Sequence, residues 1–152
     1  MLVITRIRLT KPWLGDSQPG RDGIRLFKKE GRLVKVNEQM WHEQFRSASL
    51  EIPLAVNTAA IVPPPTILPA SYHIYTRNYS QVKTDQFESF RKGTILTIEF
   101  RIKDQIASAP TIAQFSDLLS FVGTWLGLSP WGNKFGFGRF ELLAVENSTT
   151  TN

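Results

Sequence analysis

Four glycines, Gly127, Gly132, Gly136 and Gly138, surround Trp131, Lys134 and Phe135 in the stretch "LGLSPWGNKFGFGRFELL", Leu126 to Leu143. A backbone this rich in glycine can aim successive amides at phosphate oxygens. Lys134 and Arg139 add positive charge beside it, and Trp131, Phe135 or Phe137 can stack on bases. The simpler alternative is a turn between a helix and a strand, with Trp131 and Phe137 closing the core. A nucleotide P-loop is excluded, because the Gly-Lys-Ser/Thr ending is missing and a strand follows instead of a helix.

Two further groups of residues can do chemistry. In "SYHIYTRNYS", His73, Tyr75, Arg77 and Tyr79 alternate along one face of a strand, as aromatic and basic residues do on stacking platforms for RNA. Tyr also favours strands without any ligand, and such a face can equally lie under the neighbouring proline-rich arm. His42 and Arg46 stand four residues apart and share a helix face. A histidine beside a cation can act as the acid or base in metal-independent RNA cleavage, where the ribose 2′-hydroxyl attacks the adjacent phosphate. A single helical histidine is more commonly just a solvated or hydrogen-bonded side chain. With two histidines and no cysteine there is no metal-ligand spacing, no thiol nucleophile and no disulfide, and no serine sits in a triad motif. No cofactor is expected.

The elements that must position these groups follow from periodicity. Val3, Thr5, Ile7 and Leu9 share one face of a first strand, with Leu2, Ile4, Arg6 and Arg8 on the other. "IRLFKKEGRLVKV" reads as a hairpin turning at Glu30-Gly31. Asn37 is a good N-cap, with Val36 and Trp41 placed as a hydrophobic staple, which predicts a helix from about residue 38 to 50 with Trp41, Phe45 and Ala48 buried. The prolines at 63, 64, 65 and 69 rule out regular structure through that connector. Leu96, Ile98, Phe100 and Ile102 mark the core face of the clearest strand, and Thr97, Glu99, Arg101 and Lys103 its wet face. Thr111 and Gln114 form a capping box ahead of a helix whose stripe runs Ile112, Phe115, Leu118, Leu119, Val122, Trp125 and Leu126, with Gly127 as the stop. "GRFELLAV" is a last strand.

With the "SYHIYTRNYS" strand in second place, the order is βαββαβ. That order predicts an α+β, ferredoxin-like (split βαβ) antiparallel sheet with two helices on one face, plus an inserted hairpin and a proline-rich arm. Residues 1–146 make one domain, and 147–152 a polar tail expected to be disordered. Of the 18 Lys and Arg and 13 Asp and Glu, residues 1–103 hold 16 and 9, and residues 104–152 hold 2 and 4, so the basic excess lies in the first two-thirds. A pI near 9.7 suits a polyanionic partner. No secretory signal and no apolar run of roughly 18 residues appears. With the missing cysteines, this makes a cytoplasmic protein without a membrane partner the expectation.

The glycine-rich stretch between the second long helix and the last strand resembles that of the RAMP superfamily, the repeat-associated proteins of CRISPR systems that bind and sometimes cut guide RNA. In that family a glycine-rich segment with interspersed basic residues, closing on Gly-aromatic-Gly, precedes the final strand. Gly132, Lys134, Gly136, Phe137, Gly138 and Arg139 match it. Many members carry two ferredoxin-like domains, whereas this chain has room for one. RNA-processing members use a general acid or base near the first helix, where His42 stands. The resemblance implies an RNA-binding subunit or accessory protein of a CRISPR-type or phage or other mobile-element ribonucleoprotein. Its RNA contacts would come from Gly132, Lys134, Phe135, Gly136, Gly138 and Arg139, together with Tyr75, Arg77, Tyr79, Arg46, Arg6 and Arg8, and other protein subunits would be partners. An endoribonuclease using His42 and a protein-interaction module without nucleic acid are the alternatives.

Overall fold

A computed structural model of the chain describes residues 1–15, 23–67, 73–78, 84–128 and 136–148. The first strand, β1 (Leu2–Leu9), lies between two long partners, β10 (Ile95–Ile102) and β11 (Phe140–Asn147), both antiparallel to it. A two-residue strand, β6 (Ile61–Val62), pairs with the far edge of β10. The main sheet therefore runs β11-β1-β10-β6. The alternation seen in the sequence is the alternation of its faces. Val3, Ile7 and Leu9 of β1 and Leu96, Ile98, Phe100 and Ile102 of β10 are buried. Thr5 is buried among them, its hydroxyl donating to the Ile98 carbonyl at 2.8 Å.

Two helices cover that buried face. The first, α1 (Glu38–Glu51), begins where Asn37 accepts from the Met40 amide, as its N-cap position predicts. It buries Trp41, Gln44, Phe45 and Ala48. In α2 (Ile112–Phe121) both halves of the Thr111–Gln114 capping box are made, at 2.9 and 3.2 Å. Phe100 joins the layers: its ring centroid is 5.1 Å from Trp41, 5.8 Å from Phe45 and 5.2 Å from Phe115. Removing that ring leaves a cavity shared by the sheet and both helices, at a cost of roughly 3–5 kcal/mol.

A π-helical turn, Val122–Leu126, continues α2, and its wider repeat rotates Trp125 out of the apolar stripe. The ring expected in the core is instead 59% exposed, while Val122 is fully buried. Gly127 ends the turn by donating to the Val122 carbonyl at 2.7 Å.

The second strand differs from expectation. The segment His73–Asn78 (β8) does not join the main sheet. It forms an antiparallel ladder with β9 (Thr84–Phe90), which also pairs with β2 (Trp13–Leu14) and, in parallel, with β3 (Ile24–Arg25). The place after α1 is taken by β6, at the head of the proline arm, where Pro63 stops the pairing after two residues. Beyond the prolines, β7 (Thr66–Ile67) pairs with β5 (Leu33–Lys35), which forms the expected hairpin with β4 (Lys29–Glu30) across Gly31 and Arg32. The stretch around Pro63, Pro64 and Pro65 is thus tied down on both sides. β11 continues to Asn147, opposite Val3, and the Ser148 amide reaches the Leu2 carbonyl at 3.0 Å, so the start of the expected tail is part of the sheet.

Candidate functional site

The glycine-rich segment returns to one end of the main sheet, and its two described flanks are stitched together. The Leu128 amide donates to the Gly138 carbonyl at 2.9 Å, the Gly138 amide to Pro12 at 2.7 Å, and the Thr10 amide to Arg139 at 2.9 Å. Gly127, Gly136 and Gly138 have φ of 82, 80 and 73°, in the left-handed region where other residues are strained. Gly127 has a second reason to be glycine, since a Cβ there would stand 2.6 Å from the Phe137 carbonyl oxygen. These three glycines shape the two described flanks of the segment. Gly132, Lys134, Phe135 and Trp131 lie outside the described residues.

The same end of the sheet gathers cations from three segments. The Gly93 amide donates to Leu9 and the Leu9 amide to Thr94, which fixes the Arg91–Thr94 turn beside the end of β1. Residues 9–12, 91–94 and 136–140 carry Lys11, Arg91, Lys92 and Arg139 and no carboxylate. Lys11, Arg91 and Lys92 are exposed; Arg139 is half-buried, its guanidinium donating to the Trp125 carbonyl at 3.3 Å.

The open face of the main sheet is different. Arg6, Arg8 and Arg101 lie on it, with Glu99, Glu141 and Glu146 in the facing or neighbouring rows of the ladders. Arg8 bonds Glu141 at 2.7 Å, with both side chains about half exposed. Within the ladders, three arginines and three carboxylates share this face, and Lys103 follows directly after β10. Tyr75 and Arg77 belong to β8 and therefore to the second sheet, apart from Arg6 and Arg8, and Tyr79 is outside the described residues.

His42 and Arg46 are both exposed on α1, on the side turned away from Trp41, Gln44, Phe45 and Ala48. The first half of the helix also borders a cavity of about 830 Å³ whose lining includes Gln39, Glu43 and Gln44 but not His42. The buried rings of Trp13 and Phe27 form its deep wall with Leu128, and exposed Lys28, Lys35, Glu30 and Glu38 stand at its mouth.

Glu88 holds part of that wall: one carboxylate oxygen accepts from the Phe27 amide at 3.1 Å and the other from Lys29 Nζ at 2.9 Å. Gln44, buried in the α1 stripe, donates to the Gly127 carbonyl at 2.8 Å and so joins cavity and glycine turn. Its position one residue before Phe45 and three after Trp41 marks it in the sequence as a polar residue on an apolar face. Lys11, Arg91 and Lys92 carry no such mark, because only the folded chain brings their turns together.

Among the described residues no group of three metal-ligating side chains occurs, and no helix is long and apolar enough to cross a membrane. Compared with models of known protein families, the chain matches none, and it has no significant match among curated proteins.

Proposed function

We propose that this chain is a single-domain RNA-binding subunit or accessory protein of a CRISPR-type or phage ribonucleoprotein, with a RAMP-like, ferredoxin-like fold. The sheet order β11-β1-β10-β6 with every neighbour antiparallel, and both helices packed against the buried face through Phe100, supports that fold. One observation carries the function. The described flanks of the glycine-rich segment lie at the end of the sheet whose adjoining segments, residues 9–12, 91–94 and 136–140, carry Lys11, Arg91, Lys92 and Arg139 and no carboxylate. Four clustered cations attract a polyanion and release its counterions on contact.

Binding without cleavage is the form of this function that the geometry favours. His42 faces solvent with Glu38, Glu43 and Arg46 within four residues of it, and it does not line the cavity. A protein contact has its own supporting feature: Trp125, at 59% exposure, borders a second cavity of about 400 Å³ with Ile52, Leu54 and Phe121. An exposed apolar patch of this kind suits a subunit contact within a larger particle. The deciding measurement is anisotropy of a labelled single-stranded RNA titrated at two salt concentrations. Affinity should fall steeply as salt rises. Affinity that is absent at low salt would refute RNA binding, and affinity indifferent to salt would refute the cationic end as its site.

A further inference from the structure

We propose that the cavity beside α1 receives one unpaired base of the bound RNA, while its sugar and phosphate stay outside on the Lys11, Arg91, Lys92 and Arg139 end. This rests on the RNA-binding function proposed above and names what the neighbouring cavity adds to it.

The first support is size and continuity. At about 830 Å³ the cavity is in the range of pockets that hold a small organic ligand, and it has room for a base. Three of its residues belong also to the base of the glycine turn. Trp13 follows Pro12, which accepts from Gly138; Leu128 donates to Gly138; and Gln44 donates to Gly127. The deep wall of the cavity and the cationic end are therefore joined through the same short backbone segments.

The second support is chemistry. Trp13 and Phe27 pack edge to face with centroids 5.1 Å apart and both line the cavity, and the 6% of each that stays exposed is the aromatic surface a flat ring would meet. The mouth carries Lys28 and Lys35 against Glu30, Glu38 and Glu43, an excess of one negative charge. A phosphate inside would meet three carboxylates. An uncharged heterocycle with donors and acceptors along its edge meets groups of both kinds there, among them the Gln39 amide, whose Nε2 donates to a Glu43 carboxylate oxygen at 3.3 Å. The cationic end outside has the opposite character and suits the backbone.

The test compares an oligoadenylate decamer, an oligouridylate decamer and an abasic decamer of the same backbone, titrated with the whole chain and with Met40→Trp and Glu43→Gln. Met40, half-buried on the wall, would fill the cavity as Trp; Glu43 is exposed, so its variant should fold normally. The abasic decamer should bind at least about ten-fold more weakly than an intact one with a similar salt slope, because base stacking is lost and phosphate contacts are kept. Met40→Trp should bring intact decamers down to the abasic affinity and leave the abasic affinity unchanged. Glu43→Gln should change the ratio between the two intact decamers.

Intact and abasic decamers that bind alike would overturn the base pocket and leave RNA binding standing. So would a folded Met40→Trp, or Glu43→Gln if Met40→Trp does not fold, that leaves the intact decamers unaffected. If no decamer binds at low salt, RNA binding itself fails.

Discussion

Gln44 Nε2 donates a 2.8 Å hydrogen bond to the Gly127 carbonyl across a separation of 83 residues. The bond is buried, and it ties the middle of α1 to the start of the glycine turn. Gly127 cannot carry a side chain here without meeting the Phe137 carbonyl, so helix, turn and last strand are locked in one arrangement.

Replacing Gln44 with Leu removes the donor and leaves the Gly127 carbonyl without it in a buried place. The expected cost is about 1–3 kcal/mol, a fall of several degrees in Tm for a chain of this length. RNA affinity should fall with it if the turn must be held for binding. Thermal melts and titrations on the same preparation check both.

The described glycines and Lys134 should separate cleanly. Gly127→Ala and Gly138→Ala force a side chain into positive φ, which costs on the order of 1–3 kcal/mol each, and Gly127→Ala should be the worse because of the Phe137 carbonyl. Lys134→Ala should leave Tm unchanged and reduce the slope of log affinity against log salt by roughly one. An unchanged slope with unchanged affinity would remove Lys134 from the interface.

Charge reversal distinguishes the two surfaces. Lys92→Glu or Arg91→Glu should weaken RNA binding about ten-fold or more at low salt, whereas Arg101→Glu, on the face where Glu99, Glu141 and Glu146 alternate with arginines, should have a several-fold smaller effect. Equal losses at the two places would show that the open face also binds.

Glu88→Ala should loosen the wall that carries Phe27 and Lys28. A hydrogen bond to a charged group contributes about 1.5–3 kcal/mol, and the Lys29 share of this pair is reduced because that side chain is about a third exposed. Denaturant melts measure the loss. Hydrogen exchange at the Phe27 amide should quicken in the same variant.

His42→Ala should bind RNA as the parent does. Incubated with RNA in EDTA, neither protein should release fragments ending in a cyclic phosphate. Parent-dependent release that the substitution abolishes would establish the ribonuclease alternative.

The sequence by itself determined the elements whose signals are local. Asn37 and the Thr111–Gln114 pair set the starts of the two helices, alternating burial set β1 and β10, and Gly127 set the stop before the last strand. Each of these depends on residues within a few positions of one another. Only the tertiary structure decided which segment completes the main sheet. Ile61–Val62 is too short to show a period, while His73–Asn78 alternates well but finds its partner in β9, and a strand's pattern states that it has a buried side without saying against what.

The outward turn of Trp125 likewise came from a π-helical repeat that apolar spacing alone does not reveal. The same holds for the site. The glycines were legible because positive φ is a property of one residue. The meeting of Lys11, Arg91, Lys92 and Arg139, and the cavity between Trp13, Phe27 and α1, depend on contacts between segments far apart in the chain. Such contacts are fixed by packing and by the ladders of the sheet.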